Sequence, residues 1–225
     1  MIETYFGSPG AGKTTVACAL ALQDRKMYDN VFLNFSHSIP SACLCDLDRL
    51  GEWTFPPNSK VYIDEAGIVY NNRKFKSFPQ EAIAWFKLHR HYSVDVCLLS
   101  QSWEDCDVTI RRLSDVLWHV RKAGPFTICR RVYKSVTVDQ TTQQIIDGYK
   151  MAHLLWLFLY PLQMYGWPFA QRFKIIYRPF YYRYFDTYER NDLPVKHFPK
   201  AVGCKPSFLN CVKCIFSKFL SFFKK

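Results

Sequence analysis

Near the start of the chain, Gly7-Ser8-Pro9-Gly10-Ala11-Gly12-Lys13-Thr14 fits the spacing G-x-x-x-x-G-K-[ST] at every fixed position. Glycines at those points let the backbone curl so that its N–H groups cradle a triphosphate. Lys13 then reaches the β- and γ-phosphates, and the hydroxyl of Thr14, or of its neighbour Thr15, is offered to Mg²⁺. Further along, Lys60-Val61-Tyr62-Ile63-Asp64-Glu65-Ala66 is an apolar run ending in two acids. An aspartate there suits the water shell of Mg²⁺, and the glutamate after it suits orienting and activating an attacking water. A third run, Val94-Asp95-Val96-Cys97-Leu98-Leu99-Ser100, ends at the polar Gln101. That residue either senses the terminal phosphate and the attacking water or caps the next helix. Together these residues are the parts of a nucleoside-triphosphate site.

The elements that must position them follow from periodicity. Ile2 to Phe6 is short, β-branched and aromatic, a buried strand leading into the loop. Thr14 to Leu22 is alanine- and leucine-rich, a helix whose free N–H groups face that loop. Val31 to Phe35 reads as a second strand, and Pro56-Pro57-Asn58-Ser59 turns the chain into the strand that ends at Asp64. Pro79 opens a helix over Gln80 to His91, and Asp107 to Leu113 forms a short helix carrying Arg111 and Arg112. Val116 to Arg121 and Phe126 to Tyr133 make a hairpin around Ala123-Gly124-Pro125. Strands alternating with helices predict a three-layer α/β P-loop NTPase domain over residues 1–148, closed by that hairpin.

Composition bounds the rest. The 225 residues are 49% hydrophobic and 17% aromatic, which excludes global disorder. Residues 1–148 carry 17 basic against 16 acidic side chains, whereas residues 149–225 carry 13 against 3. A nearly neutral domain is thus joined to a basic, aromatic-rich helical tail, which suggests a polyanionic partner, either nucleic acid or an anionic membrane. Nine cysteines and a first strand with no secretory signal before it predict free thiols in a reducing cytoplasm.

Within the tail, Met151 to Gln171 has no Lys, Arg, Asp or Glu and approaches the length of a bilayer span. Pro161, Gln163, Gly166 and Pro168 interrupt it, and Trp156, Tyr160, Tyr165 and Trp167 suit the headgroup level, so an interfacial or re-entrant hairpin is favoured over a span or a buried core segment. Phe180-Tyr181-Tyr182-Arg183-Tyr184-Phe185 could stack single-stranded bases or form a membrane belt. Phe208, Val212, Ile215, Phe219 and Phe222 recur at helical spacing among lysines, an amphipathic helix for an anionic surface. His197, Cys204, Cys211 and Cys214 match no standard zinc spacing, and small apolar fillers on a helix face are the simpler reading.

The order of these features resembles one family. The N-terminal loop, V-Y-I-D-E-A, the run Phe86-Lys87-Leu88-His89-Arg90-His91-Tyr92-Ser93-Val94-Asp95-Val96, then Leu98-Leu99-Ser100-Gln101-Ser102 and Ile110-Arg111-Arg112-Leu113-Ser114-Asp115 look like the zonular occludens toxin (Zot) family of filamentous-phage assembly proteins. The resemblance, over about residues 1–135, implies an ATPase allied to ring-forming DNA-pumping motors, acting at the host inner membrane with its ATPase domain on the cytoplasmic side. It implies ATP and Mg²⁺ at Lys13, Thr14 and Asp64, Glu65 as the catalytic carboxylate paired with Asp64, and Gln101 as sensor. Arg90, Arg111 or Arg112 would reach a neighbouring subunit's phosphates. Implied partners are single-stranded DNA or phage nucleoprotein, coat and pore proteins, the anionic inner membrane and further copies of the chain. The chain departs from the family in having no clean span and too little length for an extracytoplasmic domain. Two other readings stand beside the motor: a nucleotide-switched assembly adaptor with little turnover, and a soluble DNA-packaging ATPase. An acid after Asp64 speaks for hydrolysis, and lysines among phenylalanines suit lipid better than an aqueous channel.

Overall fold

The computed structural model describes residues 1–45, 47, 50, 54–69, 80–104, 106, 108–138, 145–154, 157, 160 and 172–186. These belong to the first of two units into which the chain divides, Met1–Glu189. In chain order the elements are β1 (Ile2–Phe6), α1 (Lys13–Asp24), β2 (Asn30–Leu33), β3 (Ala42–Leu44), β4 (Ser59–Ile63), α2 (Ala66–Val69), α3 (Gln80–Leu88), β5 (Val94–Ser100), α4 (Val108–Leu113), β6 (Val116–Ala123), β7 (Phe126–Val138), β8 (Ile145–Met151) and β9 (Phe173–Tyr177). Two 3-10 turns, Arg178–Phe180 and Tyr182–Tyr184, follow β9.

Among the described residues, all nine strands join one sheet, ordered β3-β2-β4-β5-β1-β6-β7-β8, with β9 also on β7. The pairs from β3 through β6 are parallel, so β1, β4 and β5 all point their carboxyl ends to one edge. Loops at that edge are where an open α/β sheet binds its ligand. Alternation along the strands divides two cores between the faces. On one side Tyr5, Tyr62, Cys97, Leu99 and Trp118 pack under α1 through Val16, Ala17 and Ala21. On the other, Ile2, Val61, Ile63, Val96 and Leu98 meet Ala82, Trp85 and Phe86 of α3 and Ile110 of α4. The three layers expected from the alternating elements are present, with a mixed sheet at the centre.

The hairpin is β6 and β7, in register from Leu117↔Val132 to Ala123↔Phe126, and Gly124 takes the positive φ of 57° that its turn needs. α3 stops at Leu88, where His91 N–H turns back to the Leu88 carbonyl and Ser93 adopts φ 53° before β5. It is therefore shorter than the expected run to His91. Pro79, which was to open that helix, lies outside the described residues, as do 161–171 and 187–225 with the expected terminal helix and the Cys204, Cys211 and Cys214 cluster. Among the described residues, no helix is long and apolar enough to cross a membrane.

The sheet does not end at residue 148. That expected boundary falls inside β8, which pairs with β7 from Val138↔Ile145 to Val132↔Met151. β9 then takes the rest of the same edge of β7, Phe126↔Tyr177 to Arg130↔Phe173. In the described part of the expected helical tail, residues 149–151 end β8, Leu157 and Tyr160 are helical, and residues 172–186 hold β9 and the two 3-10 turns. Lys174 explains why a basic strand docks here. Its ammonium donates to the Tyr5 hydroxyl at 2.7 Å, lies 4.7 Å over the Trp118 ring and sits 3.9 Å from Glu3, whose carboxylate accepts from Tyr5 at 3.0 Å. A long-range ion pair therefore fixes β9 to the α1 face.

Lys174→Met should lower stability by about 1–3 kcal/mol, because Glu3 and the Tyr5 hydroxyl lose a charged partner in a largely buried place. The urea midpoint measures this. Removal of residues 149–225 takes all of β9 and the end of β8, and should broaden or abolish the cooperative transition. A truncated protein with an unchanged midpoint would show that β9 adds nothing.

Candidate nucleotide site

The loop between β1 and α1 is closed on itself and tied to the sheet. Gly7 N–H donates to the Ser100 carbonyl of β5 at 3.2 Å, and Ala11 N–H to the Ser8 carbonyl at 3.1 Å. Two glycines are required by geometry. A Cβ on Gly7 would lie 2.2 Å from the Val120 carbonyl oxygen, and one on Gly12 would lie 2.3 Å from Thr127 Oγ1 at a φ of 95°. Thr127 in turn donates its hydroxyl to the Ala11 carbonyl at 3.2 Å. The hairpin strand β7 therefore supports the loop from behind.

Lys13, the first residue of α1, is only 7% exposed. Its ammonium donates to the carbonyls of Gly7 at 2.8 Å and Ser8 at 3.2 Å. Burial pulls its pKa below the ordinary lysine value, against the pull of Asp64 and Glu65. Asp64, 8% exposed at the end of β4, shows the opposite shift. Burial pushes its carboxyl above the usual range, although the Thr14 hydroxyl and the Glu65 N–H favour the charged form. The Thr14 hydroxyl donates to Asp64 Oδ2 at 2.6 Å, so Thr14, rather than Thr15, shares its site with the acid.

This donor set fits Mg²⁺ held with a nucleotide. Such an ion needs one or two protein oxygens and takes the rest of its shell from phosphates and water. Thr14 Oγ1 and Asp64 supply those oxygens, and a cation there would offset the burial that raises the Asp64 pKa.

Glu65 and Gln101 meet beside this pair. The Gln101 amide donates to both Glu65 carboxylate oxygens, at 3.2 and 3.0 Å. Glu65 has φ 56°, an unusual conformation for a residue with a side chain. The residue before it is clamped by Asn34, whose amide donates to the Asp64 carbonyl at 3.0 Å and whose carbonyl oxygen accepts from Asp64 N–H at 2.7 Å. Sequence reasoning missed Asn34. The available signal was a polar residue at the end of an otherwise apolar strand, on the edge shared with Asp64 and Gln101.

A cavity of about 230 Å³ joins these groups. It is lined by Pro9, Gly10, Gly12, Lys13, Thr14 and Thr15 of the loop, by Asp64, Glu65 and Gln101, and by Arg178, Tyr182 and Phe185 from the turns after β9. Tyr182 and Phe185 belong to the stretch read as base-stacking or membrane-facing, and Arg178 lies just before it. The three candidate arginines are not brought here. Arg90 pairs with Asp115 at 2.7 Å, and Asp115 accepts from Ile2 N–H, which puts both at the amino edge of the sheet. Arg111 and Arg112 end α4 just before that same junction, where Lys134 donates to the Arg111 and Ser114 carbonyls.

Comparison with solved structures finds similarity to the N-terminal domain of zonular occludens toxin from Neisseria meningitidis, at 22% identity and a TM-score of 0.48, covering 69% of this chain and 96% of that one. The chain is also similar to the genome-packaging NTPase of Sulfolobus turreted icosahedral virus 2 in complex with ATPγS, at 10% identity and a TM-score of 0.43, covering 65% and 96%. Among curated proteins, none matches the chain. The family model described as zonular occludens toxin (Zot) matches residues 36–160. That span takes in β4 with Asp64 and Glu65, β5 up to Gln101 and the hairpin behind the loop, and it covers more than half of the 225 residues. With the phosphate loop formed in front of it, the chain belongs to the zonular occludens toxin (Zot) family.

Proposed function

We propose that the protein hydrolyses ATP as the motor for assembly and extrusion of a filamentous single-stranded DNA phage at the host inner membrane. The observation that carries the catalytic half is the Glu65–Gln101 pair beside Lys13 and the Thr14–Asp64 contact. Mg²⁺ bound with the nucleotide between Thr14 and Asp64 would neutralise charge on the phosphate oxygens. Lys13 exchanges its two carbonyl acceptors for phosphate oxygens. Glu65 accepts the proton of the attacking water, and the Gln101 amide holds that carboxylate in place. A protein using nucleotide only as a switch has no need of an acid so held, which favours turnover over the adaptor reading.

The phage setting rests on family membership, and coat proteins, pore proteins and single-stranded DNA are the partners it suggests. Attachment to the membrane rests on charge. Residues 190–225 carry eight basic side chains against one acidic, beyond the unit that holds the nucleotide site. A ring of copies could bring an amino-edge arginine of one subunit to the site of the next, and activity per subunit would then fall on dilution.

Lys13→Ala should abolish binding of a fluorescent ATP analogue. Glu65→Gln should keep binding while phosphate release falls about 10²–10⁴-fold, as for loss of a general base. Gln101→Ala should lower turnover in the same direction with binding intact. Parent-like hydrolysis by Glu65→Gln would remove the role given to that residue.

A protein ending at Glu189 should keep its ATPase activity and lose its hold on anionic vesicles. The basic side chains removed contribute about 1 kcal/mol each near such a surface, so high salt should mimic the deletion in co-sedimentation. A full-length chain that stays free of anionic vesicles at low salt would defeat the membrane assignment.

A further inference from the structure

The stretch after β9 runs across the mouth of the site and is anchored at both ends. At its start Arg178 N–H donates to the Pro125 carbonyl at 2.9 Å, in the turn of the hairpin. At its end Ser38, beyond β2, donates its N–H to the Tyr184 carbonyl at 2.9 Å and its hydroxyl to the Arg183 carbonyl at 3.0 Å, and Phe185 bridges to His37. Between the anchors Tyr181 and Tyr184 pack on the core under α1. The strap therefore spans from the β7 side of the sheet to the β2 side, with α1 beneath it.

Three side chains on this strap face the nucleotide cavity, and their chemistry is that of a ligand wall. Arg178 Nε is buried and makes no hydrogen bond among the described residues. It lies beside the loop, 3.5 Å from where a Cβ on Gly12 would be, next to Lys13. A buried donor left without an acceptor is costly, and an anion in the loop would supply the acceptor. Tyr182 is 46% exposed, with the Arg178 guanidinium 5.7 Å over its ring. An aromatic ring open at a cavity offers a stacking surface for a base.

We propose that this strap is the second wall of the nucleotide site, supplied by the same chain: Arg178 binds phosphate oxygens of the nucleoside triphosphate, and Tyr182 stacks on its base. The assignment rests on the nucleotide reading above and adds to it a cation and a base-recognising ring beyond the three arginines at the amino edge. It also explains why the sheet extends to β9, since that strand delivers the strap to the loop.

The test is a titration of the full-length protein with a fluorescent ATP analogue and Mg²⁺, competed by ATP or by inorganic tripolyphosphate, which has no base. Arg178→Ala should weaken ATP and tripolyphosphate alike, by about 10- to 100-fold, the effect of one charged hydrogen bond. Tyr182→Ala should weaken ATP by about 5- to 100-fold and leave tripolyphosphate unchanged, while Tyr182→Phe keeps the parent affinity. Arg178→Lys, which retains the charge, covers the case in which Arg178→Ala fails to fold and should bind between parent and alanine variant. Parent-like affinity in Tyr182→Ala and in the Arg178 variants, with Lys13→Ala inactive in binding, would overturn the strap alone. A Tyr182→Ala protein losing ATP and tripolyphosphate equally would overturn the base assignment. A parent protein that binds no ATP would overturn the nucleotide reading itself, and this inference with it.

Discussion

The hydrogen bond from Thr14 to Asp64 joins two strands that do not touch. β1 delivers the loop and β4 delivers the acid, and β5 lies between them in the sheet. For the hydroxyl and the carboxylate to meet, all three parallel strands must end at the same level. The registers Ile2↔Val96 and Val61↔Val96 set that level, and the Gly7 bond to Ser100 fixes where the loop leaves it. The intervening strand has its own part in the site, because its end presents Gln101 to Glu65. One constraint on strand ends thus places Lys13, the Thr14–Asp64 pair and Glu65 in a single cavity.

How much of this was legible depends on the range of the forces involved. The loop, the acid pair and Gln101 each end a short apolar strand, and period and position along the chain are local signals. Their meeting at one edge then follows from parallel topology alone. Asn34 was less visible because the residue it holds lies two strands' worth of chain away, and within the expected strand Val31 to Phe35 it is a single polar position with no local sign of its partner. The strand β9 was not legible at all. Phe173-Lys174-Ile175-Ile176-Tyr177 carries a lysine at its second position, among arginines that suggest a surface. Only the half-buried Glu3 and the Tyr5 hydroxyl, far away in sequence, make that lysine belong inside.

The same long-range pairing changes how the basic charge should be read. Counted along the chain, Lys174 and Arg178 swell the cationic excess of the tail. In the fold, Lys174 is spent against Glu3 and Tyr5 and Arg178 faces the phosphate loop, so neither is available to a membrane or to DNA. Under the proposed membrane attachment, the attraction would come from the side chains beyond them. Net charge is a good guide to a polyanionic partner only after internal pairs are removed from it.

Glu65 shows what the rigid frame is for. A glutamate at φ 56° carries a conformational cost of about 1–2 kcal/mol, and a free strand end would relax out of it. Here the preceding residue, Asp64, is held on both its N–H and its carbonyl by Asn34, while the Glu65 N–H is taken by Asp64 Oδ1 at 2.8 Å. Those bonds leave the backbone little freedom, and the left-handed turn directs the carboxylate at the Gln101 amide. The cost is therefore offset by three hydrogen bonds at the point where β4 ends. A carboxylate positioned before substrate arrives needs no reorganisation in the reaction, which is the advantage preorganised groups have over flexible ones.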